Sequence, residues 1–504
     1  AALAKASYDL MVLEYEAATE IGAGIPTWLA MLVLPIAFAI IALRQTWSSA
    51  PRWGVRLAVG LAIPFGVWLA ANHTVLEERS FLPWLAFIVA CTLLGAPIFA
   101  ALGAAAAVLF AIEYVGPMAI PVETYSLSVS PMLPAIPLFT LTGFLLAEGR
   151  SSERLLEVFR AWFGWIPGGT AVVTVLVCAF FTAFTGGSGV TILALGGLLY
   201  PALVKEKYGE EFSIGTLTAA GSLGLLFPPA LPLILYGVVA EVPIEDLFIG
   251  GIIPGFVLVG LMAVWGVHRG LVSGAVRTSF HWKRALRSLW TGKYELAVPG
   301  IALGTMFSGW ATLVEASAVT ALYALIVQVF VHRDLTIRGD LLRVLRNCTV
   351  LLGGVLLILG VAKGLTNYLV DAMIPAQLLA WVEAHVESRI VFLLALNVFL
   401  LLVGCLMDIF SAIVVVVPLI EPIGEAFGIH PVHLGIIFVA NLELGYLTPP
   451  VGLNLFLASY RFEKPLLMIY RAAVPALLIL GLGVLMITYV EGFTLGLLRL
   501  LGRA

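Results

Sequence analysis

The dipeptide Pro-Pro occurs twice in matching surroundings, GSLGLLFPPALPLILY (Gly221 to Tyr236) and NLELGYLTPPVGLNLF (Asn441 to Phe456). Each pair interrupts an apolar segment that would otherwise read as one membrane helix. Proline removes a backbone donor and its ring clashes with the preceding turn, so both helices are predicted to break there. Inside a bilayer, broken backbone is tolerated only where protein buries it or where it lines a cavity. Two such breaks at matching positions of two halves point to the binding site of a secondary transporter.

The surrounding composition fits a membrane setting and excludes a soluble globule. Hydrophobic residues make up 61% of the 504, charged residues only 11%, and the mean hydropathy is +1.06. Soluble domains are roughly 45–50% apolar and about 25% charged. Runs of about 20 apolar residues, long enough to span, recur from Pro26 to Phe493. The net charge of -3 says little. Cys91, Cys178, Cys348 and Cys405 lie in apolar segments without metal-ligand spacing and read as small buried hydrophobes. The sequence begins AALAKASYDL, and the first apolar span has no basic flank or cleavage site before it, so no signal peptide is expected.

The Lys and Arg residues collect in a few places: Arg44 to Arg56, Arg150 to Arg160, Lys205 and Lys207, Arg269 to Lys293, Arg333 to Arg346, and Arg461 to Arg471. The loops Glu113 to Ser130, Glu241 to Asp246 and Glu421 to His433 are acidic and hold no Lys or Arg. By the positive-inside rule the first set is cytoplasmic and the second faces outward. Gly168 to Leu203, with TGGSGVT (Thr185 to Thr191) at its middle, then starts and ends on the cytoplasmic side. Ile390 to Ile423, with GCLMDIFSA (Gly404 to Ala412) at its middle, starts and ends outside. Each returning segment precedes a broken helix, Phe212 to Ala240 crossing outward and His433 to Tyr460 crossing inward. This is an inverted-topology repeat, about 131–268 and about 294–492. Two full spans would return to the same side as well, but the arms are somewhat short for spanning, and re-entrant hairpins are the favoured reading. Nearer the N-terminus, Pro26 to Leu43 should run inward and Gly54 to Ala71 outward. Phe81 to Ile112 is either two short arms turning at Gly95-Ala96-Pro97 or one long span that reverses what precedes it.

The candidate site residues follow from depth and chemistry. The glycines of TGGSGVT could serve only a turn. Paired with a broken helix, its carbonyls and the hydroxyls of Ser188 and Thr191 suit a hard cation, which prefers oxygen ligands. Asp408 is an intramembrane carboxylate and so a site candidate by default; the structural alternative is a hairpin cap or an ion-pair partner. Glu443, near the second break, lies close to the site or pairs structurally. At each break the first half-helix offers free carbonyls to a cation, and the second offers free N–H groups to an anion. Asn441, Thr448 and Asn454 add neutral polar groups around the second break. Glu315 reads as structural. No His spacing suggests a metal enzyme, no Walker motif suggests ATP hydrolysis, and no polar cluster suggests membrane-embedded catalysis. No nucleic-acid partner is expected.

From about Leu82 onward the chain resembles the large membrane subunit of tripartite ATP-independent periplasmic (TRAP) transporters. The stretches that carry the resemblance are LGAPIFAALG, IPLFTLTGFLLAEG, FTGGSGVTILALGGLLYPAL, LFPPALPLILYG, LFIGGIIPG, VEASAVTALYAL, MDIFSAIVVVVPLIEPI, GIHPVHLGII and GYLTPPVGLNLF. Upstream, Gly22 to Arg44 looks like the final helix of the family's small membrane subunit, and Gly54 to Ala71 like the linker helix of fused chains. The division expected is 1–45 small-subunit-like, 46–80 linker, and 81–504 permease. The resemblance implies an all-α ion-transporter fold in the bacterial inner membrane. It further implies Na⁺-coupled, elevator-type uptake of a carboxylate handed over by a periplasmic substrate-binding protein, beside the remaining small-subunit helices.

By matching position, Gly186, Ser188 and Thr191 with Gly224 and Leu226 would form one Na⁺ site. Gly404, Asp408 and Ser411 with Gly445, Leu447 and Thr448 would form the other. Substrate would touch Ser188, Pro229, Asn441, Thr448, Pro450 and Asn454. The chain departs from the family pattern at Ala230, where a serine is usual, at Thr312-Leu-Val-Glu-Ala316, where TPTEA is usual, and at Gly189, where a bulkier residue is common. A stand-alone cation-coupled carboxylate transporter without a binding protein is the alternative; the small-subunit-like segment favours the first reading.

Overall fold

The computed structural model describes residues 1–22, 24–48, 53–76, 80–93, 96–113, 116–275 and 279–503. These form two compact units, Ala1–Ser130 with Gly353–Gln377, and Pro131–Leu352 with Leu378–Ala504. The regular elements among the described residues are helices, apart from a short antiparallel pairing of Glu20–Gly22 with Ile25–Pro26. Eight of the helices among them are long and apolar enough to cross a membrane.

In the first unit, a helix at Ala2–Ala17 precedes the first expected span. Its apolar residues are interrupted by Lys5, Asp9 and Glu14, so it gives no hydropathy signal; Lys5 and Asp9 pair one turn apart. The expected segment Pro26 to Leu43 is found as Thr27–Met31 and Val33–Ser48, and Gly54 to Ala71 as Trp53–Gly60 and Ala62–Ala71. Phe81 to Ile112 is two helices, Leu82–Leu93 and Ile98–Ile112, the second opened by Pro97. Gly95 of the expected turn lies outside the described residues. The acidic loop Glu113 to Ser130 contains a helix, Ala119–Ser128. Its surroundings account for its acids: Glu113 accepts from the Tyr368 hydroxyl at 2.8 Å, and Glu123 accepts from Asn367 at 3.1 Å and lies 3.5 Å from Lys363.

The second unit holds both Pro-Pro segments. Its element order runs twice through the same sequence: a returning pair of helices, a helix in two halves, then a long helix. The first pass is Gly169–Thr185 and Ser188–Lys205, then Glu210–Ala220 and Leu231–Val239, then Ile244–Ser273. The second is Arg389–Leu406 and Ile409–Ala426, then Pro431–Gly445 and Leu453–Phe462, then Leu466–Tyr489. Both helices break at the Pro-Pro pair as expected, and both Pro-Pro bonds are cis.

The basic segments at Arg150 to Arg160 and Arg269 to Lys293 contain helices, Ser151–Phe163 and Trp282–Thr291, that pack on each other. Arg154 of the first is the centre of a partly buried ion cluster. It donates to Glu295 at 2.5 Å and to Asp334 at 2.6 Å. Glu295 is fully buried, and His332 lies 3.5 Å from it. Burial alone would raise the Asp334 carboxyl, but the bond from Arg154, the Arg150 N–H and the Arg154 charge hold it below its ordinary value.

Candidate functional site

Each hairpin tip meets the break of the helix that follows it, backbone against backbone. At the first tip the chain turns through Gly186 at φ +63°, a left-handed conformation open to glycine at little cost. A Cβ at Gly186 would also come within 2.6 Å of Leu231 Cβ, where the second half-helix starts. Gly224, inside the first break, approaches so closely that a Cβ there would lie 2.2 Å from the Ala179 carbonyl and 2.6 Å from Thr182 Cβ. The second tip repeats the arrangement. A Cβ at Gly445 would lie 2.6 Å from Gly404 Cα. The Gly452 N–H donates to the Cys405 carbonyl at 3.1 Å, and the Ile409 N–H donates to the Tyr446 hydroxyl at 2.8 Å.

At the first tip this apposition gathers oxygens. Thr182 Oγ1 lies 2.7 Å from Thr191 Oγ1, 2.8 Å from the Gly221 carbonyl and 2.9 Å from the Cys178 carbonyl. Thr185 Oγ1 stands 3.4 Å from Thr191 Oγ1 and 3.4 Å from the Gly187 carbonyl. Ser188 and Thr191 are both buried. The carbonyl that meets the hairpin belongs to Gly221, whereas that of Leu226 is turned onto Gly251, so Leu226 is not brought to the tip. Thr182 and Thr185 were missed by the sequence reading; threonines at i and i+3 on the arm leading into a Gly-Gly tip were the available signal.

At the second tip Asp408 is the helix cap that the structural alternative described. Its Oδ1 accepts from the N–H groups of Phe410 and Ser411 at 3.0 and 3.1 Å, and its Oδ2 accepts from the Ser411 hydroxyl at 2.5 Å. Thr448 donates to the Leu444 carbonyl at 3.0 Å, within its own helix end, and Leu447 is buried. Asn441 is spent on helix packing: its amide donates to Asn397 Oδ1 at 2.7 Å and to the Ile437 carbonyl at 2.9 Å. Glu443 is buried, and neither carboxyl oxygen has a partner among the described residues, so the structural ion pair considered for it is not formed. Glu315 is structural, closing a capping box with Thr312.

The two passes interlock. The second arm of the first hairpin packs along Leu453–Phe462 of the second broken helix, and that of the second hairpin along Leu231–Val239 of the first. Leu457 occupies the space that a side chain at Gly189 would need, with Cδ1 2.6 Å from the position of its Cβ. Asn454 donates to the Thr218 carbonyl of the first broken helix at 3.1 Å, while its Oδ1 is buried without a partner. The breaks differ in exposure: Pro228 and Pro229 are buried, Pro449 and Pro450 are exposed, and the Pro450 carbonyl accepts from Tyr470 at 2.6 Å. A cavity of about 460 Å³ lies elsewhere, lined by Arg389, Leu393, Thr488 and Glu491, and none of the expected site residues borders it.

Residues 85–493, which contain both tips and both breaks, match the family model described as tripartite ATP-independent periplasmic transporter, DctM component. The chain belongs to this family. It is a multi-pass membrane permease of a bacterial TRAP system and a transporter, not an enzyme. It is 34% identical over 482 residues to the isethionate TRAP transporter permease protein DctMQ of Oleidesulfovibrio alaskensis, covering 92% of this chain and 74% of that one. It is also 34% identical over 405 residues to the C4-dicarboxylate TRAP transporter large permease protein DctM of Pseudomonas aeruginosa, covering 79% and 93%. The YdaH transporter of Alcanivorax borkumensis has a similar fold, with a TM-score of 0.53 at 18% identity, covering 72% of this chain and 86% of that chain.

Proposed function

We propose that this TRAP permease is an elevator-type importer that couples inward Na⁺ movement to uptake of a small organic acid delivered by a periplasmic binding protein. The observation that carries the reading is the doubled contact of hairpin tip with helix break. A break in the middle of a crossing segment lies at mid-depth, so a tip that touches it ends there too, which supports re-entrant hairpins. The arms are 17 to 18 residues. At about 1.5 Å per residue they reach roughly 27 Å, just under the hydrocarbon thickness of about 30 Å.

The first tip suits Na⁺ by its donor set, which is all oxygen: the hydroxyls of Thr182, Thr185 and Thr191 with the Gly221 and Gly187 carbonyls. The second offers Asp408, Ser411 and the carbonyls around Gly404 and Gly445. Ser188, Pro229, Thr448, Pro450 and Asn454 stay in the proposed substrate region, with Asn454 Oδ1 the buried acceptor free to meet a donor. Asn441 supports it from the packing behind. The half-helices that begin at Leu231 and Leu453 present N–H ends suited to an anion. Relatives are named for isethionate, C4-dicarboxylates, ectoine and sialic acid, each bearing an acidic oxygen group. The small-subunit-like reading of 1–45 and the linker reading of 46–80 remain part of the proposal.

The test is uptake into proteoliposomes holding the permease with its companion subunit and binding protein. Uptake is expected only with an inward Na⁺ gradient and with the binding protein present. Uptake driven equally by K⁺ would remove Na⁺ from the proposal, and uptake of free substrate without the binding protein would favour the stand-alone alternative.

A further inference from the structure

We infer that the helix Trp282–Thr291 is a binding site for anionic phospholipid headgroups of the cytoplasmic leaflet. Its sequence, WKRALRSLWT, divides around the helix into three faces. One is protein-bound: Ala285 and Ser288 are buried, the Ala285 carbonyl accepts from Trp162 Nε1 at 3.2 Å, and Gly292 packs on Val158. The next face carries Trp282, Leu286 and Trp290, which are 58%, 48% and 73% exposed. The third carries Lys283, Arg287 and Arg284, all exposed and none paired with an acid among the described residues.

The apolar face continues beyond the helix. Phe280 stacks edge-on against Trp162 and Trp165 at 6.4 and 6.2 Å and lies 6.1 Å from Trp282. Lys293 sits 3.5 Å above the Trp290 ring, a cation at the edge of the aromatic face. Ten residues with three unpaired cations are too short and too charged to span. A large exposed aromatic face on a membrane protein, flanked by a basic one, is the arrangement of a helix lying in the interface with rings toward the acyl chains. The occupant of the basic flank follows from charge. There is no acidic residue in the helix, and the segment falls on the side that the Lys and Arg distribution assigns to the cytoplasm, where anionic headgroups supply the complement. The exposed acids of the neighbouring helix Ser151–Phe163, Glu153 and Glu157, pair with none of the three.

Native mass spectrometry of the full chain in detergent, titrated with phosphatidylglycerol or with phosphatidylcholine of the same acyl chains, tests this. Wild-type protein is expected to retain phosphatidylglycerol at least about fivefold over phosphatidylcholine. The triple variant K283Q/R284Q/R287Q should bring that ratio close to one, whereas K205Q/K207Q in another basic segment should leave it unchanged. The single variants K283Q and R287Q, with smaller effects expected, guard against a folding defect in the triple. A triple variant with an undiminished ratio, or wild type with none, overturns the inference and leaves the basic flank to a soluble acidic partner.

Discussion

At the residue scale the sharpest question is what Asp408 does, because the same carboxylate caps a helix and is proposed to face a cation. Asp408→Asn keeps an acceptor for the Phe410 and Ser411 N–H groups but removes the charge. Loss of an N-cap costs about 0.5–2 kcal/mol. Asp408→Ala should therefore lower thermal stability by that order, while Asp408→Asn should cost less and still weaken Na⁺-dependent uptake several-fold. If Asn restores full uptake at unchanged Na⁺ dependence, the residue is a cap alone. Gly445→Ala puts a methyl into the Gly404 backbone and should destabilise by roughly 1–3 kcal/mol, as overpacking does, with loss of uptake even in the folded fraction.

Residues of this kind were only partly legible. Asp408 and the tip glycines announce themselves as a charge and as turn-formers in an apolar run. Thr182 does not, because a threonine in a membrane arm usually bonds to its own helix, and Thr182 does that as well. Leu226 and Gly221 could not be separated in advance, since every carbonyl at a helix end looks alike until the chain's direction is known.

At the scale of elements, the ion cluster that joins Ser151–Phe163 to Glu295 and Asp334 should be the most sensitive contact outside the tips. Arg154→Ala strands the fully buried Glu295 without its guanidinium partner, and breaking a buried pair from one side costs about 3–5 kcal/mol. Thermal melting of the purified variant measures this. The pH dependence has a fixed sign. Asp334 has a lowered pKa in the folded protein, so its contribution is complete above its ordinary value of 3.8 and is lost as pH falls below that. Arg154→Ala should therefore flatten the acid limb of the stability curve and leave the neutral-to-alkaline limb unaltered in shape.

Elements were read well where hydropathy is unambiguous and poorly where it is mixed. Hairpins and broken helices were visible as apolar runs with Gly or Pro at their centres. The helices Ala2–Ala17, Ala119–Ser128, Ser151–Phe163 and Trp282–Thr291 were not, because their charges read as loops when only spanning length is sought. The capping box Thr312-x-x-Glu315 was present in the sequence and explains why the departure from the usual TPTEA keeps its first threonine and its glutamate.

For the whole molecule, the bond from Asn454 to the Thr218 carbonyl ties one pass to the other. Asn454→Leu should cost about 0.5–1.5 kcal/mol by loss of a hydrogen bond, and should also alter substrate affinity if Oδ1 faces the solute. An unchanged half-saturation concentration in uptake would confine Asn454 to packing. The two-fold likeness of the passes was legible from the matched Pro-Pro breaks and the hairpin centres that precede them, read together with the charge distribution. Their interlocking was not, since nothing in either repeat states which half-helix its hairpin arm will lie against.

That interlocking has a consequence for biosynthesis. Asn454 and Thr218 are 236 residues apart in the chain, and Gly189 waits for Leu457 across a similar interval. The first hairpin therefore leaves the ribosome long before the surface it must cover exists. Long-range closure of this kind is slow and leaves apolar surface and unpaired groups exposed meanwhile. The nascent first repeat should accordingly be an assembly intermediate held by the insertion machinery, not a finished module. Chains arrested after Val331 should be protease-sensitive at the Gly186-Gly187 tip, and chains extended past Phe462 should be resistant there.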